Sequence, residues 1–300
     1  MPLCCGAPFE VLSPWAEPWH LGDMAKKTGP RINTRGPLVG QCNICGETAK
    51  LTEDHTPPKV CTRREPMELR PLYADSSKAG TKPRKFQQGV TYRTLCARCN
   101  NDLLGGKYDL ALGEFASEVR ALASSRLELP DQAWVKMRPQ PVIRSVLGHL
   151  TAQGLDGYHP EAAVTEPLRD YILDSSRPLP DMLRIYYWFY PFRDQVLLKG
   201  AGRMELRGDG PTRTVVFSLM KFYPLAFFVT MGEGAQPRYP LLFNLDAYRD
   251  VPFEYEAQVG LLIRRLVPQR WPESPGTHGM VILNDRAAVA AAPSSVIHRP

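Results

Sequence analysis

Gln41-Cys42-Asn43-Ile44-Cys45-Gly46 and Leu95-Cys96-Ala97-Arg98-Cys99-Asn100-Asn101 each carry a Cys-x-x-Cys pair, and they bracket Thr52-Glu53-Asp54-His55-Thr56-Pro57-Pro58-Lys59. Two residues between cysteines allow a tight turn that aims both sulfurs at one ion, so two pairs complete a tetrahedral Cys4 site. Such a site is closed and structural, and Zn2+ suits four thiolates. Chance pairing or disulfides are the weaker readings of this spacing. The interval between the pairs is much longer than in a plain zinc ribbon, which predicts an inserted hairpin. The chemistry is expected inside that interval, at Asp54-His55.

Cys42, Cys45, Asp54-His55, Pro57-Pro58-Lys59, Cys96, Cys99 and Asn100-Asn101 together resemble the HNH endonucleases. In that family a hairpin carries the Asp-His, and a helix starts near the second cysteine pair. The resemblance covers about a quarter of the chain. It implies His55 as general base, and Asp54 and Asn100 as ligands of a catalytic divalent metal. The family's middle asparagine stands five residues before the third cysteine, where this chain has Thr91. Threonine can donate and accept hydrogen bonds, but it is too short to brace a histidine as an amide does. Asn100, where the family often has histidine, is a workable ligand.

A carboxylate and an amide oxygen make a hard, oxygen-rich site, which favours Mg2+ or Mn2+ over zinc. An ion there polarises a phosphoryl oxygen, and a histidine can accept a proton from water. Neighbouring residues on a regular strand point to opposite faces. A ligand and a base flanking one phosphate therefore require a bend at Asp54-His55, and Pro57-Pro58 ends regular pairing just beyond. Asn100 could equally serve as a helix N-cap.

The chain has 300 residues, of which 43 % are hydrophobic and 23 % charged, enough for two modest domains with an adequate core. No run of about eighteen apolar residues predicts a membrane span. The formal net charge is +6, but sixteen Lys and Arg against seven Asp and Glu fall between Met24 and Lys107. That concentration suits an anionic polymer, with ordinary solubilising charge as the bland reading. Cys4, Cys5 and Cys61 remain outside the zinc set; an odd count without a signal segment predicts a cytoplasmic protein.

The predicted fold class is α+β: a zinc-clamped ββα-metal (HNH) module, then helices, then a mostly antiparallel β-rich domain. Residues 1–39 are expected to be a disordered basic arm, with 1–23 an upstream extension and Lys26, Lys27, Arg31 and Arg35 spaced by Gly and Pro. The module takes 40–130. Within it, 63–89 reads as a polar insert, and Lys59, Lys82, Arg84 and Lys85 are the expected nucleic-acid contacts. Helical periodicity is interrupted at Gly105-Gly106 and resumes from Tyr108, with Asp109 as a cap. A helical connector fills 131–182, including a helix over Pro139 to Ala152 in which His149 is structural. Short strands with Gly/Pro turns fill 183–285, and 286–300 is a frayed tail. The aromatic run Ile185 to Tyr190 reads as core rather than as a base-stacking platform.

The reading is a metal-dependent HNH-type endonuclease, a phosphodiester hydrolase acting on nucleic acid, with DNA the expected polymer. The alternative is a catalytically weak or inactive zinc-stabilised nucleic-acid-binding module, which Thr91 supports. An interaction protein with zinc as scaffold is a third.

Overall fold

The computed structural model describes residues 32–63, 65–72, 83–126, 128–154, 164–205, 213–232, 239–274, 279–282 and 288–293. Most of the arm, including Lys26, Lys27 and Arg31, lies outside them, as does Lys82. Strand β1 (Val39–Gln41) leads into the first cysteine turn, and β2 (Thr48–His55) carries the Asp-His pair. Strands β3 (Met67–Pro71) and β4 (Arg84–Phe86) lie within the insert, and β5 (Thr91–Cys96) ends on the third cysteine.

A helical run over Arg98–Tyr108 continues directly into α1 (Asp109–Ala123). The run is a wide π-type turn, in which each N–H reaches five residues back. Gly105 and Gly106 permit it: a Cβ there would approach the Asn100 and Asn101 carbonyl oxygens to 3.3 and 3.1 Å. The expected interruption is thus a widening of a continuous helix. Strand β6 (Gln132–Met137) follows, then α2 (Pro139–Ala152) with proline in its first turn, where its missing N–H costs nothing, and α3 (Thr165–Leu173). Every residue of α2 is buried. It lies tightly on the π run, since a Cβ on Gly148 would overlap the Leu104 side chain.

Apart from a short 3-10 turn over Asp246–Tyr248, the remaining elements are strands: β7 (Leu183–Phe189), β8 (Gln195–Glu205), β9 (Arg213–Phe222), β10 (Leu225–Met231), β11 (Phe243–Asn244), β12 (Ala257–Leu262), β13 (Gly279–Ile282) and β14 (Ala288–Pro293). Sheet order is β1-β2-β5 in one sheet and β12-β6 in a second. The third runs β11-β7-β10-β9-β8-β14-β3-β4, with β13 also on β8, and all named strand pairs are antiparallel. Both faces of the large sheet are covered. Ile185, Tyr187 and Phe189 join the core under α1 and α2, while Tyr186, Trp188 and Tyr190 join a second cluster with Phe228 and Val267. The aromatic run is core on both sides.

Two expected boundaries cut through paired strands. The insert expected as a polar loop contributes β3 and β4, and residues expected to fray contribute β14, which bridges β3 to β8. The connector's β6 pairs with β12. Main-chain hydrogen bonds therefore join 40–130 to the β-rich region, because β14 fills the gap between them. Among the described residues, no helix is long and apolar enough to cross a membrane.

Candidate functional site

The cysteine pairs meet where β1 and β5 deliver them. Cys42 and Cys45 occupy a turn closed by Gly46 N–H donating to Cys42 O (2.9 Å) and Cys42 N–H donating to Glu47 O (2.9 Å). Gly46 takes φ 76°, the left-handed conformation glycine adopts most readily. Cys96 N–H donates to Cys42 Sγ (3.4 Å), and Cys45 and Cys96 sulfurs lie 3.8 Å apart. All four sulfurs fall within 4.8 Å of one another. Bonds of about 2.3 Å to a tetrahedral ion imply sulfur separations of about 3.8 Å, so the set fits zinc. A hydrogen bond with Cys99 holds the Cys42 thiol down at about 4, and the same bond pushes Cys99 far up. Burial first of all raises Cys45 to about 11. A divalent cation binding here would displace the thiol protons.

Strand β2 stays regular through His55, and the bend falls one residue later, at the cis Thr56-Pro57 peptide. Asp54 and His55 therefore face opposite ways. Asp54 turns inward and is only 4 % exposed. Its Oδ2 accepts from the Thr56 hydroxyl (3.2 Å) and pairs with His149 Nδ1 (2.9 Å). The other nitrogen of His149, Nε2, pairs with Asp109 Oδ1 (2.9 Å), which also accepts from the Ser145 hydroxyl (2.7 Å). His149 is fully buried. Burial would lower it, but the Asp109 and Asp54 carboxylates outweigh that and hold the imidazole up at about 10. Burial would likewise raise Asp109, yet His149 and Ser145 keep it below the usual carboxylate range. The result is an imidazolium between two carboxylates, each side secured by a hydroxyl.

Asn100, placed within the π run rather than at its cap, donates Nδ2 to Thr52 Oγ1 (2.9 Å) and to Glu53 O (3.1 Å). Thr52 shares the inward face of β2 with Asp54. Asp54 and Asn100 are thus brought to one side of the hairpin, with Asp54 covered by α2 instead of open to solvent. His55 lies on the other side, directly opposite Thr91 in the β2–β5 register. Lys59 and Lys85 are exposed, and Arg84 is half-buried.

Sequence reading takes His149 as structural and Asp109 as a cap, with a supporting place near the metal only its lesser reading, and does not pair the two. The usable signal was a histidine in a helix buried all round, where an imidazole needs partners. Asp109 opens α1, but its carboxylate goes to His149 and Ser145, not to the helix end.

Comparison with protein-family models, with curated proteins and with solved structures finds no match for this chain.

Proposed function

We propose that the chain is a metal-dependent endonuclease of the HNH type, hydrolysing phosphodiester bonds of nucleic acid, with DNA the first substrate to test. The observation carrying this reading is register: the hairpin sets Thr91 opposite His55, while Asn100, just past the last cysteine, is tied to β2 beside Asp54. The four cysteines would hold Zn2+ as the clamp that keeps the π run against the hairpin. Asp54 engages His149 and Thr56 through Oδ2, and Asn100 spends Nδ2 on β2. Asp54 Oδ1 and Asn100 Oδ1 are then the oxygens suited to Mg2+ or Mn2+, and because His55 faces the other way, Asp54 must leave His149 and turn outward for one phosphate to meet both the ion and the base. Such an ion, when bound, polarises a phosphoryl oxygen and stabilises the leaving oxygen. His55 accepts the proton of the attacking water, and Thr91 is the cross-strand group able to hydrogen-bond near it. His149 fixes Asp54 in one orientation, and Asp109 with Ser145 fixes His149.

The burial of Asp54 favours a second reading. The His149 imidazolium already supplies a counter-charge to Asp54, as befits a zinc-stabilised nucleic-acid-binding module that does not cut. A plasmid-nicking assay with Mg2+ or Mn2+ separates the two. Under the nuclease reading, His55→Ala lowers nicking by about 10²–10⁴-fold while zinc content and DNA binding persist. A wild-type chain that binds DNA in a salt-sensitive way yet never nicks it belongs to the binding module.

A further inference from the structure

We propose that the outward face of the β2–β5 hairpin is a phosphate-binding site for a nucleic-acid strand, formed by Arg35, Arg84 and Arg93 around Glu53. This deepens the nuclease reading and rests on it, because the face is the one that carries His55.

The placement follows from register. Glu53 pairs with Arg93 across the hairpin, and Arg35 forms a parallel bridge to Arg93 on the far edge of β5. Gly36 N–H donates to Arg93 O (3.1 Å) and Arg93 N–H to Thr34 O (2.9 Å), so residues 34–36 act as a further strand there. Glu53, Arg93 and Arg35 form one row across three strands, with side chains on a shared face. His55 and Thr91 form the next row on that face, a two-residue step or about 7 Å away. The irregularity in the hairpin preserves this face: between Thr52 and Glu53 the register skips Thr94. Thr94 turns into the core and donates its hydroxyl to Ala152 O (2.7 Å).

The charges in the row do not balance. Arg35 reaches across to Glu53, Nε to Oε1 3.2 Å, and both side chains remain exposed at 59 % and 43 %. Arg84 is anchored from below, its Nη1 donating to Ile32 O (3.2 Å) and its guanidinium lying 5.2 Å from the Phe86 ring centre. Burial, and then repulsion from Arg35, depress Arg84, with Glu53 the carboxylate that opposes them. Arg93 Nε is buried and has no hydrogen-bond partner among the described residues. Glu53 is thus ion-paired with Arg35, acts electrostatically on Arg84 and stands opposite Arg93 in the register, one carboxylate among three guanidiniums. Glu53 occupies the position a phosphate would take, and a backbone phosphodiester offers planar guanidiniums the oxygens they lack. A strand lying there would present its next phosphate group towards His55.

The test uses full-length, zinc-loaded protein and a fluorescein-labelled 20-base-pair DNA, followed by anisotropy across a salt series. Arg84→Gln and Arg93→Gln should each weaken binding about tenfold and reduce the salt slope by about one unit. Glu53→Gln should act in the opposite direction and tighten binding several-fold. Glu53 is exposed, so that variant removes no packing and keeps the test valid should an arginine variant misfold. Unchanged affinity and slope in Glu53→Gln and in a folded Arg93→Gln overturn the proposal. Binding of inorganic phosphate by a wild type that binds no DNA overturns it too, leaving a free-anion site. Arginine effects as expected in a wild type that never nicks plasmid would retain the phosphate site and reject the nuclease reading alone.

Discussion

His149 is flanked in α2 by Gly148 and Leu150 and sits one position off the apolar stripe of Ile143, Val146, Leu147 and Leu150. That context says core, and core it is; what the local sequence lacks is any sign of Asp54 and Asp109, which arrive from β2 and from the start of α1. Asp54-His55 stand out in the sequence because they are adjacent and bracketed by cysteines. The partner of Asp54 does not, because it lies ninety-five positions away. The linkage has a definite sign. The folded value for His149, about 10, lies above the ordinary histidine value near ~6.5. Its stabilisation is therefore complete below about pH 6.5 and is lost as pH rises towards about 10. Asp109 works at the opposite limb: its carboxyl is held low, so its contribution disappears as pH falls through that lowered value. Urea midpoints of the protein without added Mg2+ should fall from about pH 6.5 to about pH 9.5, and His149→Gln should flatten that fall. Parallel curves for the two proteins would remove the imidazole from the account.

At the scale of elements, the hairpin and the π run are short pieces. Besides the core contacts of Leu51, Tyr92, Leu95, Leu104 and Tyr108, they are joined by four sulfurs within 4.8 Å and by Asn100 tied across to β2. Zinc binding free energy in such a unit is folding free energy. Cys42→Ser should therefore abolish the folded hairpin, with bound zinc falling from one ion per chain to none. Metal analysis together with circular dichroism before and after a strong chelator checks this; a Cys42→Ser protein that stays folded and zinc-free would show the cluster to be dispensable. The cysteine spacing made this element legible, as the helical and strand periodicities did α2, β7 and β10. The widened turn over Arg98–Tyr108 was not, because two adjacent glycines mark a break and a wide helix equally well.

For the whole molecule, strand pairing decides what is a unit. Strands β3 and β4 reach the large sheet only through β14, which pairs with β3 along Met67–Pro71 and with β8 along Gln195–Leu198. Such long-range partnership leaves no local trace: the Ala-rich residues of β14 have neither strong alternation nor a turn signal, and the insert reads as charged loop. Ending the chain at residue 287 should expose β3 and the β8 edge together. The truncated protein should melt several degrees lower, as a loss of a few kcal/mol would cause in a protein of this size, and should be cleaved sooner between β3 and β4 under limited proteolysis. A truncated chain with an unchanged melting temperature would show that β14 rests on the sheet without joining it.

The same strand orders events in time. A chain emerging from the ribosome presents β2, β3 and β4 early, yet β3 has no route into the large sheet until residues 288–293 have been made. During synthesis the hairpin can gather its cysteines while its insert still waits, with one strand edge unpaired. Completion of the large sheet is thereby tied to the synthesis of residues 288–293: a chain that stalls short of β14 would carry the cysteine clamp but not the finished sheet.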